Sequence, residues 1–184
     1  TEELVALILK ENDHNTQNIL DIGTGSGVIA LTLQTHRPKW NVSGWDLSPE
    51  ALEIAVRNAN HLNLNVDFTC INILNKSPDM DKYHLIISNP PYIPSSEKSS
   101  IPGHVVDYEP ELALFVAEDH PLIFYERIAN YALKSLKKRG KLYFEINEDF
   151  VYQIQTLLSH LGFEEIAIHL DLNKKARMAS AVRA

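Results

Sequence analysis

The stretch DIGTGSG at residues 21–27 decides the fold, because three of the chain's seven glycines follow one apolar run there and precede another. The apolar run at residues 19–22 predicts a short strand, and the run at residues 28–33 predicts the start of a helix. Glycines in such a loop let a ligand approach the main chain with no Cβ in the way. The stretch therefore predicts a ligand site at the carboxyl end of a strand.

Strand-like and helical patterns alternate on both sides of this loop. Further strands are expected at residues 42–45, 66–71, 83–87, 141–146, 163–170 and 176–182. Helices are expected near residues 1–10, after Ser48-Pro49, at 122–139 and at 150–161. The helix after Ser48-Pro49 has an apolar stripe formed by Leu52, Ala55, Val56 and Ala59. The last two strands have no helix between them and should pair antiparallel. The fold class is therefore α/β, a three-layer Rossmann-like sheet that is mostly parallel with an antiparallel C-terminal strand.

The composition indicates one domain spanning residues 1–184, with a net charge of −7 and a single cysteine, Cys70. This charge argues against a grip on long nucleic acid, which usually needs a basic face. The densest basic cluster, at residues 134–141, is expected at a helix end before Gly140. The eight histidines show no metal-ligand spacing, so no metal is expected. We expect a cytoplasmic monomer that has no direct contact with nucleic acid or membrane.

The type of ligand follows from the spacing of the glycines. The dinucleotide fingerprint G-x-G-x-x-G fits Gly23 and Gly25 but meets Val28 at its third position, and no G-x-x-x-x-G-K-[ST] is present. The pattern D-x-G-x-G-x-G instead resembles the first motif of methyltransferases that use S-adenosylmethionine. Asp46 ends the next strand, where such folds place an acid on the ribose hydroxyls.

The resemblance implies S-adenosylmethionine as the cofactor and a set of residues that bind it. Asn72 stands where these enzymes often have aspartate, and its amide oxygen can accept a hydrogen bond from the adenine amine. The predicted cofactor-binding residues are Asp21, Gly23, Thr24, Gly25, Gly27, Asp46, Leu47, Asn72, Ile73 and Asn89.

A second motif, SNPPYIP at residues 88–94, follows the fourth strand and begins a proline-rich connection. An amide nitrogen or a base amine is a poor nucleophile because its lone pair is delocalised. Two acceptors on its N–H groups, the Asn89 side chain and the Pro90 carbonyl, would hold such a nitrogen, and Tyr92 offers a flat apolar surface. We predict catalytic roles for Asn89, Pro90 and Tyr92, and substrate binding by Asn89, Pro90, Pro91 and Tyr92.

Further stretches resemble one family, the peptide-chain release factor glutamine N5-methyltransferases. Thr1-Glu2-Glu3-Leu4 is similar to the end of that family's P-R-x-E-T-E-x-L motif. The stretches at residues 106–110 and 112–114, and Asp171-Leu172 with Lys175 and Arg177, also match. The resemblance implies methylation of the glutamine in the Gly-Gly-Gln motif of class I release factors. It also implies that the family's N-terminal helical domain is absent from this chain.

Three alternatives stay open at this point. A related family shares the motif Asn89-Pro90-Pro91-Tyr92, which we call the clamp, and methylates a glutamine of a large-subunit ribosomal protein. A nucleic-acid amino-methyltransferase would need a basic groove and a region that recognises a flipped base. A non-catalytic S-adenosylmethionine-binding module would need no intact clamp around Asn89.

Overall fold

The computed structural model describes residues 1–91, 93–94, 115–116 and 121–184. The helices in these ranges are α1 (Glu2–Glu11), α2 (Val28–His36), α3 (Pro49–Leu62), α4 (Ile123–Ser135) and α5 (Val151–His160), with a short 3-10 helix at Glu148–Phe150. The strands are β1 (Asn18–Ile22), β2 (Asn41–Asp46), β3 (Asp67–Cys70), β4 (Tyr83–Ser88), β5 (Ile93–Pro94), β6 (Phe115–Val116), β7 (Leu136–Glu145), β8 (Phe163–Leu170) and β9 (Ala176–Arg183).

Seven of these strands form one sheet in the order β3-β2-β1-β4-β7-β9-β8. The pairs from β3 through β7 are parallel, and β9 lies antiparallel between β7 and β8. The chain runs outward from β1 to β3 and then returns to β4 on the other side of β1. The carboxyl ends of β1 and β4 therefore flank the point where the strand order reverses, which is where open α/β sheets bind ligands. The predicted fold class is confirmed.

Alternation along the central strands divides the core into two layers. Ile19, Leu85 and Ile87 pack with Leu4 and Ile8 of α1 in one cluster, which also holds residues of α2. Leu20 and Ile22 of β1 and Ile86 of β4 belong to a second cluster, which they form with residues of α4 and α5. Both faces of the sheet are therefore covered, as a parallel sheet requires.

The helix predicted at residues 122–139 ends earlier than its apolar repeat suggested. α4 stops at Ser135, and Leu136 adopts an extended conformation that pairs with Tyr83 of β4. The expectation that the basic cluster lies at a helix end is therefore wrong for all but Lys134. Arg139 instead forms ion pairs with Glu164 and Glu165, and thus joins β7 to β8.

The opening of α3 is the one that Ser48-Pro49 predicted. The Ser48 hydroxyl accepts a hydrogen bond from the Ala51 N–H at 3.1 Å, and Pro49 occupies the first helical position. Ala55 and Ala59 are buried as expected, but Val56 is 45% exposed, so its place in the apolar stripe was wrong. Within the described residues, no helix has both the length and the apolar character that a membrane span requires.

Candidate active site

The register of the sheet brings four chain segments to one edge. Ile22 pairs with Trp45 of β2 and with Ser88 of β4, and Ser88 pairs with Phe144 of β7. The residues that follow these four therefore emerge side by side. The buried Ser88 hydroxyl also donates to the Ile22 carbonyl at 2.6 Å, which ties the start of the Asn89 motif to the glycine loop.

Four main-chain N–H groups of the glycine loop already have acceptors within the protein. Gly23 and Thr24 N–H both donate to the Trp45 carbonyl at 2.8 and 2.9 Å, and Gly27 N–H donates to the Thr24 carbonyl. Gly25 N–H donates to Asp46 Oδ2 at 2.8 Å. A loop that cradles phosphate keeps such N–H groups available for the anion. The bonding here instead suits a ligand without phosphate.

The space above the loop is open. Gly23 and Gly25 have φ values of +74° and +55°, in the left-handed region that glycine adopts without strain. A Cβ added to either would meet no atom within 4 Å, so this surface can take a ligand. Gly27 is different, because a Cβ there would lie 3.1 Å from Leu31 and from Phe68. Gly27 therefore allows α2 to pack closely on its neighbours.

Asp46 lies beside this open surface and organises it. Its Oδ2 accepts from Gly25 N–H, and its Oδ1 accepts from Ser48 N–H at 2.9 Å. A carboxylate has about four acceptor positions, so two remain for a ligand's hydroxyl groups. Asp46 thus links the glycine loop to the start of α3 and keeps acceptor capacity at the ligand surface.

Asp21 lies beneath the loop and not at its surface. The residue is completely buried, and its Oδ2 accepts from the Thr24 hydroxyl at 2.7 Å. Burial raises the pKa of its carboxyl to about 7, the hydrogen bond from Thr24 opposes this shift, and the charge of Asp46 adds to it. The geometry indicates that Asp21 supports Thr24 from below, while direct ligand contact by Asp21 stays a prediction.

Replacing Asp21 with asparagine should flatten the pH dependence of stability. In the unfolded chain Asp21 loses its proton near pH 3.8, whereas the folded chain keeps it until about pH 7. The protonated carboxyl therefore contributes its full stability below about pH 3.8, and this contribution is lost as pH rises from there to about pH 7. Between pH 5 and pH 8 the wild-type free energy of unfolding should fall by at least ~1 kcal/mol more than that of Asp21→Asn. Urea unfolding at both pH values measures this, and equal changes in the two proteins would contradict the raised pKa.

Three further residues predicted to bind the cofactor differ in exposure. Leu47 follows Asp46 and is 38% exposed, so an apolar surface is available next to the acid. The Asn72 oxygen accepts from the Leu74 N–H at 2.9 Å, and Ile73 is buried in the core. Asn72 and Ile73 thus form local structure, and their contact with a ligand stays a prediction.

The Asn-Pro-Pro segment leaves β4 on the other side of the loop. Pro90 is buried and Pro91 half-buried, so the main chain next to Asn89 is held both by packing and by two fixed φ angles. The Asn89 side chain is half-buried, and its Nδ2 donates to the Thr1 hydroxyl at 3.3 Å. Tyr92 and the stretches at residues 106–110 and 112–114 lie outside the described residues, so their predicted roles stay predictions.

Sequence reasoning missed Gly44, which lies in β2 next to the site. A Cβ there would lie 2.8 Å from the Phe68 ring and from the Thr24 hydroxyl. Gly44 therefore leaves room for the Thr24 side chain that Asp21 holds. A lone glycine inside a strand pattern can signal a close approach of this kind, and that signal was available in the sequence.

We expect Gly44→Ala to lower the free energy of unfolding by about 1–3 kcal/mol and to weaken binding of the predicted cofactor, because Thr24 must move. Urea unfolding and calorimetric titration with S-adenosylmethionine measure the two effects. Gly162→Ala is the control: its φ of +87° makes the substitution strained, but it meets no atom within 4 Å and lies after α5. That variant should lose stability alone. Wild-type affinity in Gly44→Ala would show that the position of Thr24 does not matter for binding.

Comparison with known proteins agrees with the class that the fold and the glycine loop define. Residues 2–105 match the methyltransferase small domain family, and the chain belongs to this family. A methyltransferase from Pyrococcus furiosus has the same fold, with a TM-score of 0.72 and 19% identity over 97% of this chain and 81% of its own. A magnesium protoporphyrin IX methyltransferase from Synechocystis, solved with bound SAM, has a TM-score of 0.65 and 16% identity over 100% of this chain and 77% of its own. The predicted methyltransferase class is confirmed.

The chain is also similar to a more particular group. It is 40% identical over 184 residues to the release factor glutamine methyltransferase of Bacteroides thetaiotaomicron. That match includes 100% of this chain and 66% of the relative, so the chain spans slightly less than two thirds of the relative's length. The resemblance drawn from the sequence motifs is confirmed.

Proposed function

We propose that this chain binds S-adenosylmethionine at the glycine loop and transfers its methyl group to the side-chain nitrogen of a glutamine in a protein. The observation that carries the proposal is the shared edge that places the loop, Asp46 and Asn89 at the ends of three adjacent strands. The N–H groups of Gly23, Thr24, Gly25 and Gly27 donate within the protein, and the Asp46 carboxylate lies beside the loop. Both features favour a cationic ligand without phosphate over a dinucleotide.

The cofactor's contribution when bound is an electrophilic methyl group. Asp46 would accept hydrogen bonds from the ribose hydroxyls, and Leu47 would cover one side of the adenine. The open surface over Gly23 and Gly25 leaves space for the rest of the molecule. These residues hold the cofactor, and the chemistry at the acceptor nitrogen depends on the next strand.

Asn89 and Pro90 would hold the acceptor amide. The Asn89 Oδ1 and the Pro90 carbonyl each accept one N–H of the glutamine side chain, which fixes the nitrogen and favours pyramidalisation. Positive charge would develop on this nitrogen as its bond to the methyl carbon forms and that carbon's bond to the cofactor sulfur breaks, and two fixed acceptors would stabilise the charge without reorganisation. No general base is required, because the methylated nitrogen becomes acidic enough to lose its proton readily.

The substrate we propose is the glutamine of the Gly-Gly-Gln motif in class I release factors. The support is the similarity to release factor glutamine methyltransferases along the whole of this chain. The net charge of −7 is also more compatible with a protein substrate than with a nucleic acid. The chain's partner in this proposal is a class I release factor.

Labelled methyl transfer tests the proposal. The chain is incubated with methyl-labelled S-adenosylmethionine and a class I release factor with either an intact Gly-Gly-Gln motif or Gly-Gly-Ala. Label on the intact factor alone is the expected result. Parallel reactions contain the large-subunit ribosomal proteins or an oligonucleotide duplex. Label on either of these and not on the release factor would overturn the proposed substrate.

A further inference from the structure

Three side chains form a hydrogen-bonded series at the predicted clamp. Asn89 Nδ2 donates to Thr1 Oγ1 at 3.3 Å, and Thr1 Oγ1 donates to Glu145 Oε2 at 2.8 Å. The three come from distant parts of the chain: the start of α1, the end of β4 and the end of β7. Neither Thr1 nor Glu145 is among the predicted catalytic, cofactor-binding or substrate-binding residues.

The order of donors in this series follows from the chemistry of its last member. An ionised carboxylate only accepts hydrogen bonds, so Glu145 takes the single proton of the Thr1 hydroxyl. The hydroxyl oxygen then has only lone pairs left and needs a donor from Asn89. The Asn89 amide meets this need through its NH2 group and not through its carbonyl oxygen.

The position of Glu145 is itself fixed by the sheet. Its residue pairs with Met178 of β9, and its main-chain carbonyl accepts from the Tyr125 hydroxyl at 3.1 Å. The Glu145 side chain is 19% exposed and the Thr1 side chain 32% exposed, so both are partly shielded from water. The series therefore has a rigid anchor at its carboxylate end.

We infer that Thr1 and Glu145 are positioning residues that fix the orientation of the Asn89 amide. With its NH2 group on Thr1, Asn89 presents Oδ1 as the free acceptor, and within the described part of the chain no group donates to that oxygen. A flipped amide would present NH2 to the substrate's own N–H groups and repel them. The inference rests on the proposed function, because it assigns the series a role in presenting an acceptor to a substrate amide.

Three variants separate this role from a structural one. Thr1→Val removes the hydroxyl and keeps the shape, Thr1→Ser keeps the hydroxyl, and Glu145→Gln replaces an obligate acceptor with a group that can also donate. Thr32→Val is the matched control, because the Thr32 hydroxyl donates to the Val28 carbonyl within α2. Glu145 Oε2 also lies 3.1 Å from the Thr1 amino nitrogen. All variants are therefore made in a chain that continues ahead of Thr1, where this nitrogen is an uncharged peptide N–H.

Loss of the fixed orientation of the Asn89 side-chain amide should lower kcat. Thr1→Val and Glu145→Gln should lower kcat on the release factor at least about tenfold, because a misoriented group loses its alignment with the reacting atoms. Calorimetric Kd values for S-adenosylmethionine should stay within about twofold of wild type, since the series touches no predicted cofactor contact but Asn89. Thr1→Ser and Thr32→Val should keep wild-type kcat. Wild-type kcat in Thr1→Val would overturn the inference.

A second measurement needs no substrate, so it distinguishes failure of this inference from failure of the proposed function. The side-chain NH2 signals of Asn89, assigned by their loss in Asn89→Asp, are followed by NMR. They should shift in Thr1→Val and Glu145→Gln and keep their wild-type positions in Thr1→Ser and Thr32→Val. Unchanged signals in Thr1→Val would overturn the inference, even if the release factor is not the substrate.

Discussion

Asn89→Ala should lower turnover by roughly 10²- to 10³-fold, which is the usual cost of removing one fixed group that stabilises developing charge. The side-chain oxygen is one of only two acceptors that we assign to the substrate nitrogen, and alanine offers no replacement. Affinity for S-adenosylmethionine should change little, because the glycine loop and Asp46 supply most of the proposed cofactor contacts. The expected signature is therefore a large fall in kcat with a nearly constant cofactor Kd.

Single-turnover methyl transfer and calorimetric titration measure these two quantities for Asn89→Ala. Asn41→Ala is a matched control. Asn41 is the first residue of β2, so it lies at the amino ends of the parallel strands and away from the site, and its Nδ2 donates to Asn18 Oδ1. The control should keep wild-type turnover and wild-type affinity. Equal losses of turnover and cofactor affinity in Asn89→Ala would contradict the clamp and leave Asn89 as a cofactor contact alone.

Asp46→Ala should weaken S-adenosylmethionine binding by about a hundredfold, since hydrogen bonds to a charged group contribute about 1.5–3 kcal/mol each. The substitution removes the proposed ribose acceptors and also frees the Gly25 and Ser48 N–H groups that the carboxylate holds. The loss therefore has two sources, direct contact and looser positioning of the glycine loop. Turnover at saturating cofactor should recover much of the wild-type rate.

Asp13→Ala is the control for this second substitution. Asp13 is an exposed acid between α1 and β1, at the amino edge of the sheet, and its carboxylate accepts from Asn15 and Gln17. Its removal changes the net charge by the same amount without touching the site. Calorimetry should show wild-type affinity for Asp13→Ala, and unchanged affinity in Asp46→Ala would remove Asp46 from the cofactor site.

Local signals predicted most of the fold. The glycine loop located the turn from β1 to α2, and Ser48-Pro49 located the start of α3, because caps and turns depend on residues that are neighbours in the chain. The absence of a helix between residues 163–170 and 176–182 predicted the antiparallel pair. The failure at residues 136–139 has a tertiary cause, since Leu136 pairs with Tyr83, and an apolar repeat cannot anticipate a partner strand.

The sequence predicted which candidate residues lie at the carboxyl edge of the sheet better than it predicted their burial and their hydrogen bonds. Asp46 and Asn89 emerge at the expected edge, but the complete burial of Asp21 depends on packing from both layers and has no local signal. The bond between Thr1 and Glu145 joins residues 144 positions apart. Such pairings become visible only when the register of β7 and the docking of α1 are known.

The central claim is that a planar amide, held by Asn89 and Pro90, receives the methyl group on its nitrogen. The most direct measurement is fragment-ion mass spectrometry of a class I release factor after reaction with this chain and S-adenosylmethionine. The account predicts one added methyl group on the side-chain nitrogen of the glutamine in the Gly-Gly-Gln motif, and its near absence with Asn89→Ala. A methyl group on another residue, or equal methylation by Asn89→Ala, would contradict it.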